Sequence, residues 1–298
     1  MSKPEVSILI TSKNNADKLA SLLASLRTQT CSSMEIILID DGSAPPHQGF
    51  AVDQLVRHET GLGYVRSRNE LARLARGKYL LFVDDDVVLP DREFVEKCLK
   101  LLSLHPDCGV LAFGETIPGM GENCLQPSTA SHLCYTPIYF GWTHLFRADV
   151  WHGSGGLCEL FDYGHEETEH SLRLLDSGVR ILYDPGLKVI HRVVSASKSL
   201  DLRRNQTLRN GLLAALLRYH VTTLPRVILV TLTRIYQGNR TAGMSRLRSV
   251  SWCCWAVFET VSKMPEVLRK RRVVRRETFQ LISRLEHPPF HVPPAYPA

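Results

Sequence analysis

The sequence predicts an α/β fold: a mostly parallel sheet flanked by helices, with a helical extension after it. Three observations carry the prediction. Short β-rich runs alternate with helix-period stretches over roughly the first 100 residues, the pattern of a doubly wound sheet with right-handed crossovers. Three of those runs stop abruptly at polar loops. From about residue 200 the alternation ends, and apolar residues recur at helical spacing between arginines.

The first strand is Val6-Ser7-Ile8-Leu9-Ile10, ending at Thr11-Ser12-Lys13-Asn14-Asn15. Leu19, Leu22, Leu23 and Leu26 recur at helical spacing and predict a helix over roughly 16–28. Glu35-Ile36-Ile37-Leu38-Ile39 is a second strand, stopped by the turn signal Asp40-Asp41-Gly42-Ser43. A weaker third strand precedes Gly61-Leu62-Gly63, and a helix over 64–76 follows, carrying Arg68, Leu71, Leu74 and Ala75. Lys78 to Val83 reads as a buried strand, and Gly109 to Phe113 as another. The stretch 117–137 is rich in Gly, Pro and Ser and reads as a long loop. The aromatic run from Phe140 to Phe146 is expected to line a pocket. After the turn Gly153-Ser154-Gly155-Gly156, the segment Asp162 to His170 enters a helix with Leu172, Leu174 and Leu175 that stops at Gly178. Val179 to Tyr183 and Lys188 to His191 are two further short strands. The organisation expected is a sheet domain over 1–199, amphipathic helices over 200–286, and a disordered Pro-rich tail over 287–298.

Composition bounds the function. The chain has 298 residues, 44% of them hydrophobic and 22% charged, enough for a sizeable core and unlike a disordered chain. The net charge of +6 is uneven, with much of the excess beyond residue 200. Eight cysteines show no CxxC pair, so reduced, mostly buried thiols are expected rather than a zinc site or disulfide framework. The opening Met1-Ser2-Lys3-Pro4-Glu5 lacks a signal-peptide pattern, and no window reaches 18 uninterrupted apolar residues. A cytoplasmic location is expected, at most peripheral to the inner face of a membrane. The basic C-terminal helices suit an anionic membrane surface, and equally a helical cap or a homodimer interface. Nucleic acid is not expected, because no recognition motif accompanies the charge.

The most informative feature is Asp84-Asp85-Asp86, directly after the buried strand. Three clustered carboxylates are costly unless a cation sits among them, and hard oxygen ligands suit Mg²⁺ or Mn²⁺. A solvated acidic loop is the alternative. Sheets of this kind bind ligands outside the carboxyl ends of their strands. The loops Thr11–Asn15, Asp40–Ser43 and Asp84–Asp86 should therefore open onto one crevice.

The ordered series resembles the family 2 glycosyltransferases of the GT-A fold. The matching stretches are Val6–Asn15, Ile36–Ser43, Gly61–Asn69, Tyr79–Arg92, Gly155–Arg173 and Asp184–His191. Each motif alone is weak; six in order at strand ends are specific. Together they cover about two thirds of the chain and leave the C-terminal third unmatched.

The resemblance implies roles at these positions. Thr11, Asn14 and Asp41 would hold the nucleoside, Asp41 accepting from a ring N–H of the base; its segment reads equally as an ordinary Asx turn. Arg68 would lie near the base or diphosphate. Asp84 would contact the ribose. Asp86, with Asp85, would hold Mn²⁺ or Mg²⁺ bridging the two phosphates, and Asp85 also counts among the nucleotide-binding residues. His191 aligns with a histidine at the metal or phosphate site. Glu166-Glu167 stands where the family usually has Glu-Asp, so Glu167 is the first choice of catalytic base, Glu166 the second and Glu169 the third. Acids here would also simply favour a helix amino terminus. Trp142 and Glu169 are acceptor-site candidates. The activity implied is metal-dependent, inverting transfer of a hexosyl or deoxyhexosyl group from a nucleoside-diphosphate sugar to an acceptor hydroxyl. Two alternatives are a sugar-nucleotide pyrophosphorylase, whose Gly-rich basic loop is missing after the first strand, and a nucleotide-sugar-binding module without a base.

Overall fold

A computed structural model describes residues 3–119, 121–122, 131–192, 200–241 and 243–285. The Pro-rich segment 287–298 and part of the Gly-, Pro- and Ser-rich stretch lie outside these residues. The elements in chain order are β1 (Val6–Ser12), α1 (Ala16–Arg27), β2 (Met34–Asp40), β3 (Gln54–Arg57), α2 (Tyr64–Leu74), β4 (Tyr79–Asp84), β5 (Val87–Val88) and α3 (Phe94–Leu104). Then come β6 (Cys108–Ile117), β7 (Gly121–Glu122), β8 (Cys134–Tyr135), β9 (Thr143–Arg147), α4 (Ala148–Ser154), α5 (Glu166–Asp176) and β10 (Arg180–His191). Five helices close the chain: α6 (Leu200–Arg218), α7 (Leu224–Thr241), α8 (Arg246–Ser262), α9 (Met264–Lys270) and α10 (Arg276–Arg284).

The strands form one sheet in the order β3-β2-β1-β4-β9-β6-β10-β5, with β7 beside β6 and β8 beside β10. β1 runs parallel to β2 and β4, β2 to β3, and β6 to β10. Ser12 pairs with Asp40, and Thr11 with Asp84. That register brings the three polar loops level at one end of the sheet, as the strand ends predicted.

Both faces of β1 are covered, because successive side chains point to opposite sides. Ile8 and Ile10 pack with Leu19, Leu22, Leu23 and Leu26 of α1 in one core. Leu9, between them, joins Val65 and Leu71 of α2 in the other. Burial on both faces is why these strands read as continuous apolar runs.

Two expectations are corrected. The run Phe140–Phe146 is not simply a pocket lining: Thr143–Arg147 is β9, inserted antiparallel between β4 and β6. Leu145 enters one core and Phe146 the other. The buried polar residues Thr143 and His144 interrupt its apolar run, so neither alternation nor a continuous apolar stretch marks it in the sequence. The two strands expected between Val179 and His191 are one, β10, with a register shift between Asp184 and Lys188. Pro185, which lacks an N–H to offer the ladder, falls in that shift.

The C-terminal helices pack against the sheet domain. Leu213, Ala214 and Leu217 of α6 bury with Leu160, Phe161 and Val267 of α9. α10 sets Leu281 and Ile282 against the second core. Among the described residues no helix is long and apolar enough to cross a membrane, and the seven described cysteines are free thiols.

Candidate active site at the carboxyl ends of the central strands

The aspartates end β4 and turn in different directions. Ligand atoms of Asp84, Asp86 and His191 all lie within 4.8 Å of one another. His191 Nε2 is 3.2 Å from Asp86 Oδ1, and Lys18 Nζ donates to Asp86 Oδ2 at 3.4 Å. On its other side, His191 Nδ1 is 2.7 Å from Glu115 Oε2, a fully buried carboxylate on β6. Burial opposes a charge on His191, but the hydrogen bonds to Asp86 and Glu115 outweigh it and push its pKa up to about 10. For Asp86, burial is outweighed by His191 and Lys18, and its pKa falls.

Asp85 is not in this cluster, contrary to the expected ligand set. Ser12 Oγ donates to its Oδ2 at 2.6 Å and Asn15 Nδ2 to its Oδ1 at 2.8 Å. Consecutive residues leaving a strand face opposite ways, so Asp84 and Asp86 share a side and Asp85 ties the loop after β1. Burial, opposed by those two hydrogen bonds, raises Asp85 to about 6.

Arg68 connects the aspartates to the glutamates. It is buried on α2, and its Nη2 donates to Asp84 Oδ1 at 2.6 Å and to the Gly141 carbonyl at 2.7 Å. Its Nη1 lies 3.9 Å from Glu167 Oε1. Gly141 makes this approach possible: a Cβ there would overlap the Glu167 carboxylate. Arg68 Nη1 is a buried donor without a hydrogen-bond partner among the described residues, as are Thr11 Oγ1 and Trp142 Nε1. Unpaired buried donors are unusual and mark a place for a ligand or water.

Glu166 and Glu167 open α5, in the first turn where the helix dipole favours acids. Their surroundings differ sharply. Glu166 is 1% exposed and accepts from the Tyr64 hydroxyl. Burial, and next the charge of Glu167, raise the Glu166 pKa well above the usual carboxylate range. Glu167 keeps 15% of its side-chain surface open. The loop leading into α5 is held by α6: Asn210 Nδ2 donates at 2.9 Å to the carbonyls of Tyr163 and Gly164.

The nucleoside candidates are spread around the mouth. Asp41 is largely satisfied within the chain, accepting from the N–H groups of Leu62 (2.8 Å) and Gly63 (3.0 Å) and contacting His58 at 2.8 Å. Asn14 Oδ1 accepts from the Ala44 N–H at 2.7 Å. A cavity of about 410 Å³ opens beside Asn14, Asn15, His47 and Phe50, but neither Thr11 nor Asp41 lines it. The buried Asp40 is structural, accepting from the N–H groups of Ser43 and His47 and pairing with Arg57.

The acceptor candidates are placed elsewhere. Trp142 is 6% exposed and packs in the first core, its ring 6.3 Å from that of His191. Glu169 has no exposed surface, and its carboxylate is held by Arg173 and Arg218. A side chain so enclosed cannot meet an acceptor or take its proton; Glu169 is a buried ion-pair centre. Glu115, Tyr64, Gly141 and Asn210 were not singled out from the sequence. Of these, Glu115 left the clearest signal, an acid two residues past the run Gly109–Phe113; β6 continues through it to Ile117.

A central parallel sheet with clustered aspartates at its carboxyl edge and an acidic helix start across the crevice is the arrangement of the GT-A class. The family model described as glycosyl transferase family 2 matches residues 7–163, over half of this chain, and the chain belongs to that family. An uncharacterized glycosyltransferase of Haemophilus influenzae is 38% identical over 106 residues, 33% of this chain and 34% of that protein. The O-antigen biosynthesis protein RfbC of Myxococcus xanthus is 27% identical over 230 residues, 66% of this chain and 18% of that protein. This chain thus spans about a third or less of the length of these two relatives. S. aureus TarS 1-349 in complex with UDP-GlcNAc superposes with a TM-score of 0.62 at 15% identity, over 93% of this chain and 84% of that one. The mannosyltransferase PcManGT of Pyrobaculum calidifontis, in complex with GDP-Man and Mn²⁺, gives 0.54 at 13% identity, over 95% of this chain and 84% of that one. At such identities these likenesses show the shared fold.

Proposed function

We propose that this chain transfers a hexosyl or deoxyhexosyl group from a nucleoside-diphosphate sugar to an acceptor hydroxyl, with inversion and with a divalent metal. The observation that carries the reading is the bridge Asp84–Arg68–Glu167. It puts one partly open carboxylate across from the cluster Asp84, Asp86 and His191, with a buried cation between them.

Two carboxylates and an imidazole fit Mn²⁺, and fit Mg²⁺ less well, since a nitrogen donor suits the softer ion. Held by Asp84, Asp86 and His191, the ion would neutralise the charge that develops on the departing diphosphate. Glu115 fixes the histidine ring so that Nε2 faces the cluster. In the transfer, the acceptor oxygen bonds to the anomeric carbon as the carbon–oxygen bond to the diphosphate breaks. Glu167 takes the acceptor proton. Glu166 suits this less well, because burial disfavours its charged form. Arg68 neutralises Asp84 and sits where negative charge gathers.

The test is a screen of nucleoside diphosphates and their sugars, with Mn²⁺, Mg²⁺ or chelator, scored by thermal shift and by nucleoside-diphosphate release. At least one nucleotide sugar should stabilise the chain and be consumed only with metal. No shift and no turnover with either metal would overturn the reading.

A peripheral membrane contact is proposed on a separate observation. On α8, Leu247, Val250, Val257, Phe258 and Val261 are all exposed at helical spacing beside Arg246 and Arg248. Co-sedimentation should rise with anionic lipid and fall with salt. A concentration-dependent dimer without vesicle binding would assign the face to a second copy instead.

A further inference from the structure

A basic site lies away from the aspartate cluster, where α5, α6 and α9 meet. A cavity of about 290 Å³ there is lined by Arg173, Arg218, Arg269, Lys270 and Arg272, beside the turn Gly155-Gly156. No acid lines it. One carboxylate behind the wall, Glu169, bonds to Arg173 and Arg218 and offsets part of this charge.

The two inner arginines are rigid. Arg218 is 4% exposed, with its Nη1 on the Arg272 carbonyl at 3.1 Å. Arg173 Nη2 donates to the Gly156 carbonyl at 2.6 Å. The outer three are exposed, and none has a carboxylate within ion-pair distance among the described residues. Cations converging on one hollow repel each other unless an anion joins them. Guanidinium forks match phosphate oxygens in shape and charge. The cavity sits at the small end of the range for ligand pockets and is large enough for a phosphate or diphosphate group.

We propose that this cavity binds the phosphate or diphosphate group of a larger molecule, independently of the donor nucleotide. Arg173 and Arg218 form its positive floor, and Arg269, Lys270 and Arg272 close on the oxygens from the rim. Arg173 lies six residues along α5 from Glu167, roughly 9 Å of helix rise, so the two sites are separate yet share one rigid element. The group has two chemical sources, a lipid headgroup or a soluble phosphorylated compound.

The test uses the full chain with chelator present, so that a metal-bound diphosphate at the aspartate cluster does not contribute. Inorganic pyrophosphate is titrated by calorimetry at constant ionic strength. Wild type should bind; the triple variant R269A/K270A/R272A should bind about tenfold more weakly or worse; Asp86→Ala should bind as wild type does. Those three side chains are exposed, so the variant's melting temperature should hold, which separates lost binding from lost folding. Vesicles of phosphatidylcholine with and without phosphatidate identify the source. Binding to phosphatidate that pyrophosphate competes away assigns a lipid headgroup, and pyrophosphate binding without vesicle binding assigns a soluble phosphate. No pyrophosphate binding by wild type, or equal binding by the triple variant, would overturn the proposal. Neither result bears on glycosyl transfer, which is read separately with metal and donor.

Discussion

Glu115 Oε2 stands 2.7 Å from His191 Nδ1, across the parallel pair β6 and β10, and so determines which ring nitrogen faces Asp86. A buried carboxylate behind a metal-facing histidine fixes the ring and raises its basicity. Glu115→Gln keeps the shape and removes the charge. Mn²⁺ affinity, read by calorimetry, should fall about 10- to 100-fold. Unchanged affinity would remove Glu115 from the site.

Asp86→Ala should abolish metal-dependent binding of a nucleoside diphosphate. Asp86 lies in the turn after β4, outside both cores, so the chain should stay folded, with some loss of stability from the broken pairs to His191 and Lys18. Calorimetry with and without Mn²⁺ checks this; a retained metal dependence would move the metal elsewhere.

Glu167→Gln keeps hydrogen bonding but cannot accept a proton. Loss of a general base typically costs about 10²–10⁴-fold, so kcat should fall by that much. The dissociation constant of the donor should hold, since the donor is assigned to other residues. If Glu166→Gln is the inactive variant, the base is the buried member of the pair. If both stay active, base-assisted inversion is wrong.

Glu169→Ala should be the most destabilising change in α5. It strands Arg173 and the 4%-exposed Arg218 without their shared carboxylate. Breaking a buried ion pair from one side costs about 3–5 kcal/mol. Urea unfolding reads it directly, and a loss below about 1 kcal/mol would show that solvent compensates the arginines.

Asp40 predicts a component of acid lability. Burial alone would raise its pKa, but hydrogen bonds from Ser43 and from the His47 N–H, with Arg57, outweigh burial and hold it at about 2. A depressed folded pKa stabilises the fold above the unfolded value. The contribution, about 2 kcal/mol, is full above roughly pH 4 and is lost as pH falls towards 2. Asp40→Asn should lower stability at neutral pH and flatten the stability curve between pH 4 and 2. Parallel curves for the two proteins would exclude the assignment.

Much of the site was legible because it sits at strand ends. An apolar run that stops at a carboxylate states both where the strand ends and which group stands at its mouth. Asp84 and Asp86 could therefore be set at the mouth of the sheet from the residues alone, whereas Glu167, in the first turn of α5, and His191 entered as what the family resemblance implies. Asp85 could not be told from its neighbours, because only the exit direction of the chain separates the oxygens facing His191 from those facing Ser12 and Asn15.

The sequence by itself determined the alternation of strands and helices, the covered sheet and the common edge of the three polar loops. Those are local properties, set by hydrophobic period and by where it breaks. Tertiary structure alone decided that β9 enters the sheet antiparallel, that Glu115 backs His191, that Arg68 joins Asp84 to Glu167, and that Glu169 is enclosed by Arg173 and Arg218. Each of these depends on residues distant in sequence or on which face of an element meets its neighbour. A carboxylate's role follows from what surrounds it, and Glu166, Glu167 and Glu169 share one short acidic stretch yet meet three different environments.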